Sequence, residues 1–263
     1  MNDALLLVML GAFGLAVGSF LNVVIVRVPS GESVLRPPSK CPQCESPIAP
    51  RDNIPVLSWI LLRGRCRSCG KEIPAGYPLV EAANAVLWVV AGIRFGATWP
   101  LVPYALLFSV LLALSVIDLE LYLLPNKITY PAMIVSVPAV VALSYAATDN
   151  PGRHITASLA SGLLYSGFLA VMLIGFELVT KKQGMGMGDV KLAVILGIWV
   201  GWIEPVLVVY SLIAASILGL IVGVGVLLVR RESRPYPFGP WLAMGAMAVI
   251  IWSEPILDAI GLS

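Results

Sequence analysis

Residues 5–26 read LLLVMLGAFGLAVGSFLNVVIV, an apolar run with no charged side chain. About 18 or more consecutive apolar residues are enough for a helix to cross the hydrocarbon of a bilayer. Similar runs recur almost to the C-terminus, and the sequence predicts about eight spans, at roughly 4–25, 78–95, 101–118, 128–147, 155–179, 189–203, 205–229 and 239–260. The expected fold class is an all-α polytopic membrane protein with a small loop domain on the cytoplasmic side. The composition agrees: 59% of residues are hydrophobic, 12% are charged and the mean hydropathy is +0.92, whereas soluble domains carry about 25% charged residues. Asp3 replaces the basic flank of a secretory signal, Arg27 follows the run, and no small-residue cleavage site is evident, so a retained first helix is expected.

Segment 26–77 is the one long hydrophilic stretch, with all four cysteines and eight of the 17 Lys/Arg residues. It divides the chain into a first helix (1–25), a cytoplasmic four-cysteine loop domain (26–77) and a transmembrane remainder (78–263). Basic residues favour cytoplasmic loops. Placing 26–77, 118–127, 180–191 and 230–238 on that face leaves only Arg94 and Arg153 of the 17 on the other. The expected topology is multi-pass, with both termini periplasmic. The formal net charge is only +2, and the basic residues are dispersed over short loops. The lipid bilayer is therefore an expected partner and nucleic acid is not.

The cysteines are spaced as Cys41-Pro-Gln-Cys44 and Cys66-Arg-Ser-Cys69. Two CxxC knuckles suit one tetrahedral zinc ion held by four thiolates. Lys40, Arg65 and Arg67 offset the negative charge of such a site, and Gly70 suits the second turn. No ligand position is left open, so the metal would be structural. Two redox-active CxxC pairs or four free thiols are the alternatives.

Asp118 ends the third predicted span and Asp189 opens the sixth, at the same membrane boundary. Ionisable groups at membrane depth are costly and mark function. In Gly184-Met185-Gly186-Met187-Gly188-Asp189 the glycines allow close backbone approach and positive-φ turns beside the carboxylate. Two adjacent carboxylates share a proton, so one activates water while the other donates to a carbonyl. Helix ends favour the anion at Asp189 and the acid at Asp118. The alternative is that each aspartate pairs with Lys127 or Lys191, or caps a helix. Glu120 is expected at the headgroups, Glu177 in a pair with Lys181, and His154 in a solvated loop on the outer side. Glu81 lies just inside the second span, near the cysteine loop, and is a candidate functional residue.

Several motifs occur together: Gly18-Ser19-Phe20-Leu21-Asn22 with Arg27 and Pro29, the two CxxC pairs, Asn53-Ile54-Pro55 with Ser58-Trp59, and Tyr77-Pro78-Leu79-Val80-Glu81. Beyond them come Asp118 with Leu124-Pro125-Asn126-Lys127, then Gly186-Met187-Gly188-Asp189 and Pro237-Phe238-Gly239-Pro240. In that order, over nearly the whole chain, the sequence resembles the bacterial type IV prepilin peptidases, intramembrane aspartic peptidases of the GxGD type. Asn126 departs from the aspartate expected in many relatives.

The resemblance implies that Asp118 and Asp189 are the catalytic pair, and that type IV prepilins or type II secretion pseudopilins are the substrates. It implies cleavage after a glycine at the cytoplasmic face of the bacterial inner membrane. N-methylation of the new terminus with S-adenosylmethionine would follow; no residue for binding that donor is identified, and Glu81 becomes a candidate for contacting the substrate amine. A peptidase without the methylation step is disfavoured by the intact cysteine loop. A transporter would need acidic or polar residues near mid-membrane and repeat symmetry; both aspartates instead lie at one face, and no clear internal repeat is present.

Overall fold

The structure is a computed structural model describing residues 3–181, 186–230 and 237–262. Gly184 and Met185 of the glycine motif, and parts of the 180–191 and 230–238 loops, fall outside those residues. In chain order come α1 (Asp3–Arg27), a 3₁₀ turn (Pro50–Asp52), α2 (Leu57–Leu61), α3 (Gly76–Phe95), α4 (Leu101–Leu121) and α5 (Asn126–Ala147). They are followed by α6 (Pro151–Thr180), α7 (Met187–Ile203), α8 (Leu207–Arg230), α9 (Gly239–Ile251) and α10 (Ser253–Ala259). No strand occurs among the described residues.

Every predicted span has its helix. Among the described residues six are long and apolar enough to cross a membrane, namely α1, α3, α4, α5, α6 and α8. At 17 residues α7 is shorter than these. The segment predicted as one span over 239–260 is instead two helices, α9 and α10, bent by 71°. Pro255 causes the break: its ring has no N–H and would clash with the carbonyl four residues back, at Ile251, where α9 ends.

The chain divides into two compact units, 1–113 and 114–263, with the boundary inside α4. In the first, Gly14 and Gly18 of α1 lie against α3 so closely that a Cβ on either would stand 2.7 Å from the Cα of Ala85 or Glu81. Lipid supplies no hydrophobic drive for helices to associate, so small residues that admit backbone contact take that role. Asn84 completes the seam by donating to the Gly14 carbonyl at 2.7 Å. Its side-chain oxygen accepts from Ser109 of α4, which in turn accepts from the Trp88 indole.

The second unit is organised around α7, which is almost wholly buried. Its Gly197 and Gly201 meet Ser161 and Gly162 of α6. The indoles of Trp199 and Trp202 donate to Ser136 and Ser144 of α5 at 2.8 and 3.0 Å. His154, expected in a solvated loop, lies instead in the first turn of α6. Its Nδ1 stands 2.9 Å from the Trp202 carbonyl, and the two rings are 5.6 Å apart.

The α6–α7 seam has no room for a methyl group. A Cβ on Gly197 would lie 2.5 Å from the Ser161 carbonyl oxygen and 2.7 Å from the Gly162 Cα, both backbone atoms that cannot rotate away. Gly197→Ala is expected to destabilise the protein by about 1–3 kcal/mol, read as a lower thermal midpoint in detergent. An unchanged midpoint would contradict this packing.

Candidate active site

Three helix ends form the site. In α4 the last turn carries Asp118, whose carbonyl accepts the N–H of Tyr122 at 2.9 Å, with Tyr122 at φ 55° ending the helix. The start of α7 brings in Asp189, behind Gly186 in extended backbone at φ −80°. Gly239-Pro240 opens α9, with proline at a helix start where its missing N–H costs nothing.

These ends converge on Gly239. A Cβ there would lie 2.6 Å from Oδ2 of Asp118 and 3.3 Å from Oδ1 of Asp189. The two predicted carboxylates thus flank one point that only a glycine leaves open. Both are buried, at 5% and 6% exposure. The Gly239 N–H bonds the Asp118 carboxylate, and the Gly186 N–H bonds that of Asp189. Leu124 closes the same space, 3.4 Å from the Gly239 Cβ position and 3.0 Å from that of Gly188. Gly188 therefore serves close approach to Leu124, whereas a Cβ on Gly186 would meet nothing nearer than 3.8 Å. Neither Gly186 nor Gly188 takes the positive φ expected from the sequence.

The lysine-pairing alternative loses its partner here. Lys191 donates to Asn126 at 2.9 Å and sits over the Tyr130 ring, 4.8 Å from its centroid. No ion pair joins a lysine to Asp118 or Asp189 among the described residues. Asn126 thereby holds the α5 start to α7 through a hydrogen bond with a cationic donor.

Two site residues escaped the sequence reading. Gly239 appeared there only inside a motif. The other, Ser115, lies one helical turn from Asp118 on the same side of α4. Its hydroxyl is buried with no hydrogen-bond partner among the described residues. Ser109, Thr129, Ser136 and Ser144 all return their hydroxyls to the carbonyl four residues back, so Ser115 is a departure from the habit of this chain. Its signal was legible as a hydroxyl residue three positions before an intramembrane acid. Among the other acids singled out, Glu120 is exposed, and the Glu177 carbonyl accepts the Lys181 N–H. Glu81 is buried at 8% exposure.

In the loop domain the four cysteine sulfurs lie within 4.8 Å of one another, and those of Cys41 and Cys69 are 4.0 Å apart. Two knuckles of the same design bring them there. Cys41 N–H bonds the Ser46 carbonyl and Glu45 N–H the Cys41 carbonyl, while Cys66 N–H bonds that of Lys71 and Gly70 N–H that of Cys66. The residue after each second cysteine is left-handed, Glu45 at φ 57° and Gly70 at φ 69°. Hydrogen bonds from the Ser46 side chain and backbone hold the Cys44 thiol down to about 6. Backbone N–H groups of Cys69 and Ser68 lower that of Cys66. These bonds favour the thiolates of Cys44 and Cys66 that a metal needs. At Cys69, against the lowering bond from the Lys71 backbone, burial and the neighbouring thiols push the thiol up to about 11. Convergence of all four sulfurs fits one metal ion better than two separate redox pairs. Arg67 clamps the loop through a bidentate pair to Asp52 at 2.7 and 2.8 Å, which holds that carboxyl below the usual range.

Comparison with known proteins places both halves. The Bacterial Peptidase A24 N-terminal domain family matches residues 12–95, and the Type IV leader peptidase family matches residues 105–224. The chain is 37% identical over 271 residues to the prepilin leader peptidase/N-methyltransferase of Aeromonas hydrophila, covering 93% of this chain and 90% of that one. Its counterpart in Pseudomonas putida is 36% identical over 281 residues, covering 97% and 94%. That of Pseudomonas aeruginosa is 35% identical over 269 residues, covering 92% and 89%. No solved structure matches the chain.

Four converging sulfurs predict a measurable stoichiometry. The purified protein is expected to carry about one metal ion per chain, and Cys41→Ser to lose most of it by elemental analysis. Metal content unchanged in that variant would reject the cluster as a metal site.

Proposed function

The chain belongs to the type IV leader peptidase family and is a peptidase and methyltransferase of that kind. On that premise we propose that it removes the leader of type IV prepilins or type II secretion pseudopilins, with Asp118 and Asp189 as the catalytic pair. The observation that carries the reading is the junction at Gly239, where both carboxylates come within reach of one point. One aspartate takes a proton from water as the water attacks the scissile carbonyl carbon. The other, protonated, donates to the carbonyl oxygen, and the tetrahedral adduct then expels the amine as it is protonated. Asp189 at the start of α7 suits the base and Asp118 at the end of α4 the acid, although a pair this close titrates as one unit.

The substrate class follows from where such a site would lie. A prepilin joins a basic leader to an apolar helix, so its scissile bond rests where bilayer meets cytosol. With the basic loops on the cytoplasmic face of the inner membrane and both termini periplasmic, the aspartates stand at that depth. Binding the apolar segment among helices positions the bond for attack. The Ser115 hydroxyl is available to the substrate backbone or to the attacking water.

The second activity is methylation of the freed amine with S-adenosylmethionine as the methyl donor. Segment 26–77 is its associated domain, placed between the first helix and the peptidase remainder 78–263. Zinc is the metal that best suits the four thiolates, because tetrahedral sulfur ligation with no open position is the pattern of structural zinc. The domain has little apolar core of its own, and such small folds depend on a staple.

Asp118→Ala or Asp189→Ala is expected to abolish leader removal from a model prepilin, assayed by mass spectrometry on folded, purified protein. Cleavage retained by either variant would refute the catalytic pair. Gly239→Ala tests the geometry with both acids intact. Its methyl group displaces the carboxylates by a fraction of an ångström or more, and such misplacement costs about 100-fold, so kcat should fall by roughly that factor while the thermal midpoint holds. A variant as fast as the parent would show that the pair does not work across this point.

A further inference from the structure

Glu81 belongs neither to the aspartate pair nor to the cysteine cluster, yet it is nearly as buried, at 8% exposure. It lies five residues into α3, about 7.5 Å along the helix axis, where the chain passes from the loop domain into an apolar span. Its Oε2 accepts the Val56 N–H at 2.7 Å. No cation pairs with it among the described residues. An ionised carboxylate has about four acceptor positions, and one neutral N–H fills one of them. Burying such a group is costly unless a positive partner completes it.

The protein holds this carboxylate in place at the expense of backbone strain. Val56 stands at φ 59°, ψ −48°, and the Leu57 N–H closes onto the Pro55 carbonyl. That is a γ-turn of the rare, strained hand, in a β-branched residue for which positive φ is an outlier. Ser58 locks the turn, accepting from the Ile54 N–H at 2.9 Å and donating to the Arg51 carbonyl at 3.1 Å. On the helix side, Asn22 donates to the Tyr77 carbonyl at 3.1 Å, and Gly18 packs on the Glu81 Cα. Strain persists where the surroundings over-determine it, and it gathers at ligand sites.

We propose that Glu81 is the subsite for a primary ammonium at the head of an apolar segment, namely the α-amine that leader removal exposes and methylation consumes. The proposal rests on the methyltransferase half of the function proposed above. Once the basic leader is gone, that amine is the charge nearest the apolar helix, and it stays at the membrane boundary because the helix holds it there. A carboxylate at the head of a membrane span meets it at that depth and bonds it with charge assistance. A water-soluble methyl donor has no such tie to the start of α3.

The test uses Glu81→Gln, which keeps a carbonyl oxygen for the Val56 N–H and removes the charge. The probes are two synthetic apolar peptides beginning with phenylalanine, one with a free amine and one N-acetylated. Each is titrated onto the purified full-length protein in detergent without methyl donor. The parent protein is expected to bind the free amine roughly tenfold more tightly, and the variant to bind both alike. In methylation assays the variant should raise KM for the acceptor and leave that for the donor unchanged. Metal content and thermal midpoint serve as controls for the fold of the loop domain. Equal binding of both peptides by the parent, a preference retained by Glu81→Gln, or a rise confined to the donor KM would each overturn the proposal. Amine preference in a protein that methylates nothing would sustain the subsite and sink the methyltransferase reading instead.

Discussion

Two carboxylates at the edge of an apolar bundle repel each other and lose their water, so nothing intrinsic brings them together. The rest of the fold must hold them. In the second unit the holding is done by close backbone contact. The seam of Ser161 and Gly162 with Gly197 and Gly201 fixes α7 against α6, and the Trp199 and Trp202 indoles fix it against α5. With α7 rigid, Asp189 at its first turn has a set position, and Gly239 lets α9 approach without displacing either acid. The bilayer provides no hydrophobic force to make up for a poorly fitted helix pair. The small residues of the seam are therefore part of what brings the two aspartates to Gly239.

The same economy operates in the first unit with different parts. Gly14 and Gly18 draw α1 onto α3, and the buried Asn84–Ser109–Trp88 chain ties α3 to α4. The loop domain cannot be built that way, because it has few apolar residues to bury. It uses two matching cysteine knuckles, an Arg67–Asp52 clamp and the Glu81–Val56 bond to the membrane helix. Polar and ionic contacts there replace the helix packing that the spans supply elsewhere.

How much of this could be read from the chain depends on the range of each signal. Span positions were legible because apolarity is local, and the break at Trp252 was legible in principle because proline acts on the carbonyl four residues back. The cysteine cluster was legible because spacing alone constrains a metal site. Asp118 and Asp189 were legible as intramembrane acids, and the motifs around them supplied the family resemblance. What escaped the reading were pairings between distant segments. The sequence places nothing near Gly239 that announces its contact with Asp118. His154 looked like a loop residue because its partner, the Trp202 carbonyl, lies 48 positions away. Glu45 gave no sign of a left-handed backbone, since that demand comes from the knuckle and not from the residue.

The two halves of the chain meet a common problem with one solution. A substrate that is mostly an apolar helix offers little chemistry for recognition except at its end, where the backbone leaves the bilayer. An enzyme acting there must carry polar groups at that depth without letting them unfold the helices that bear them. On the proposed reading, Asp118 and Asp189 meet this need by lying at helix ends, where backbone N–H groups of Gly239 and Gly186 are free to bond them. On the same reading, Glu81 meets it near the start of α3 with the N–H of a strained turn. In each case a backbone donor holds the carboxyl group without an ion pair, and the acid is kept for use. That Lys191 turns away to Asn126 and Tyr130 is thus part of the same design: the nearby cation is occupied elsewhere, and the acids stay available to a substrate.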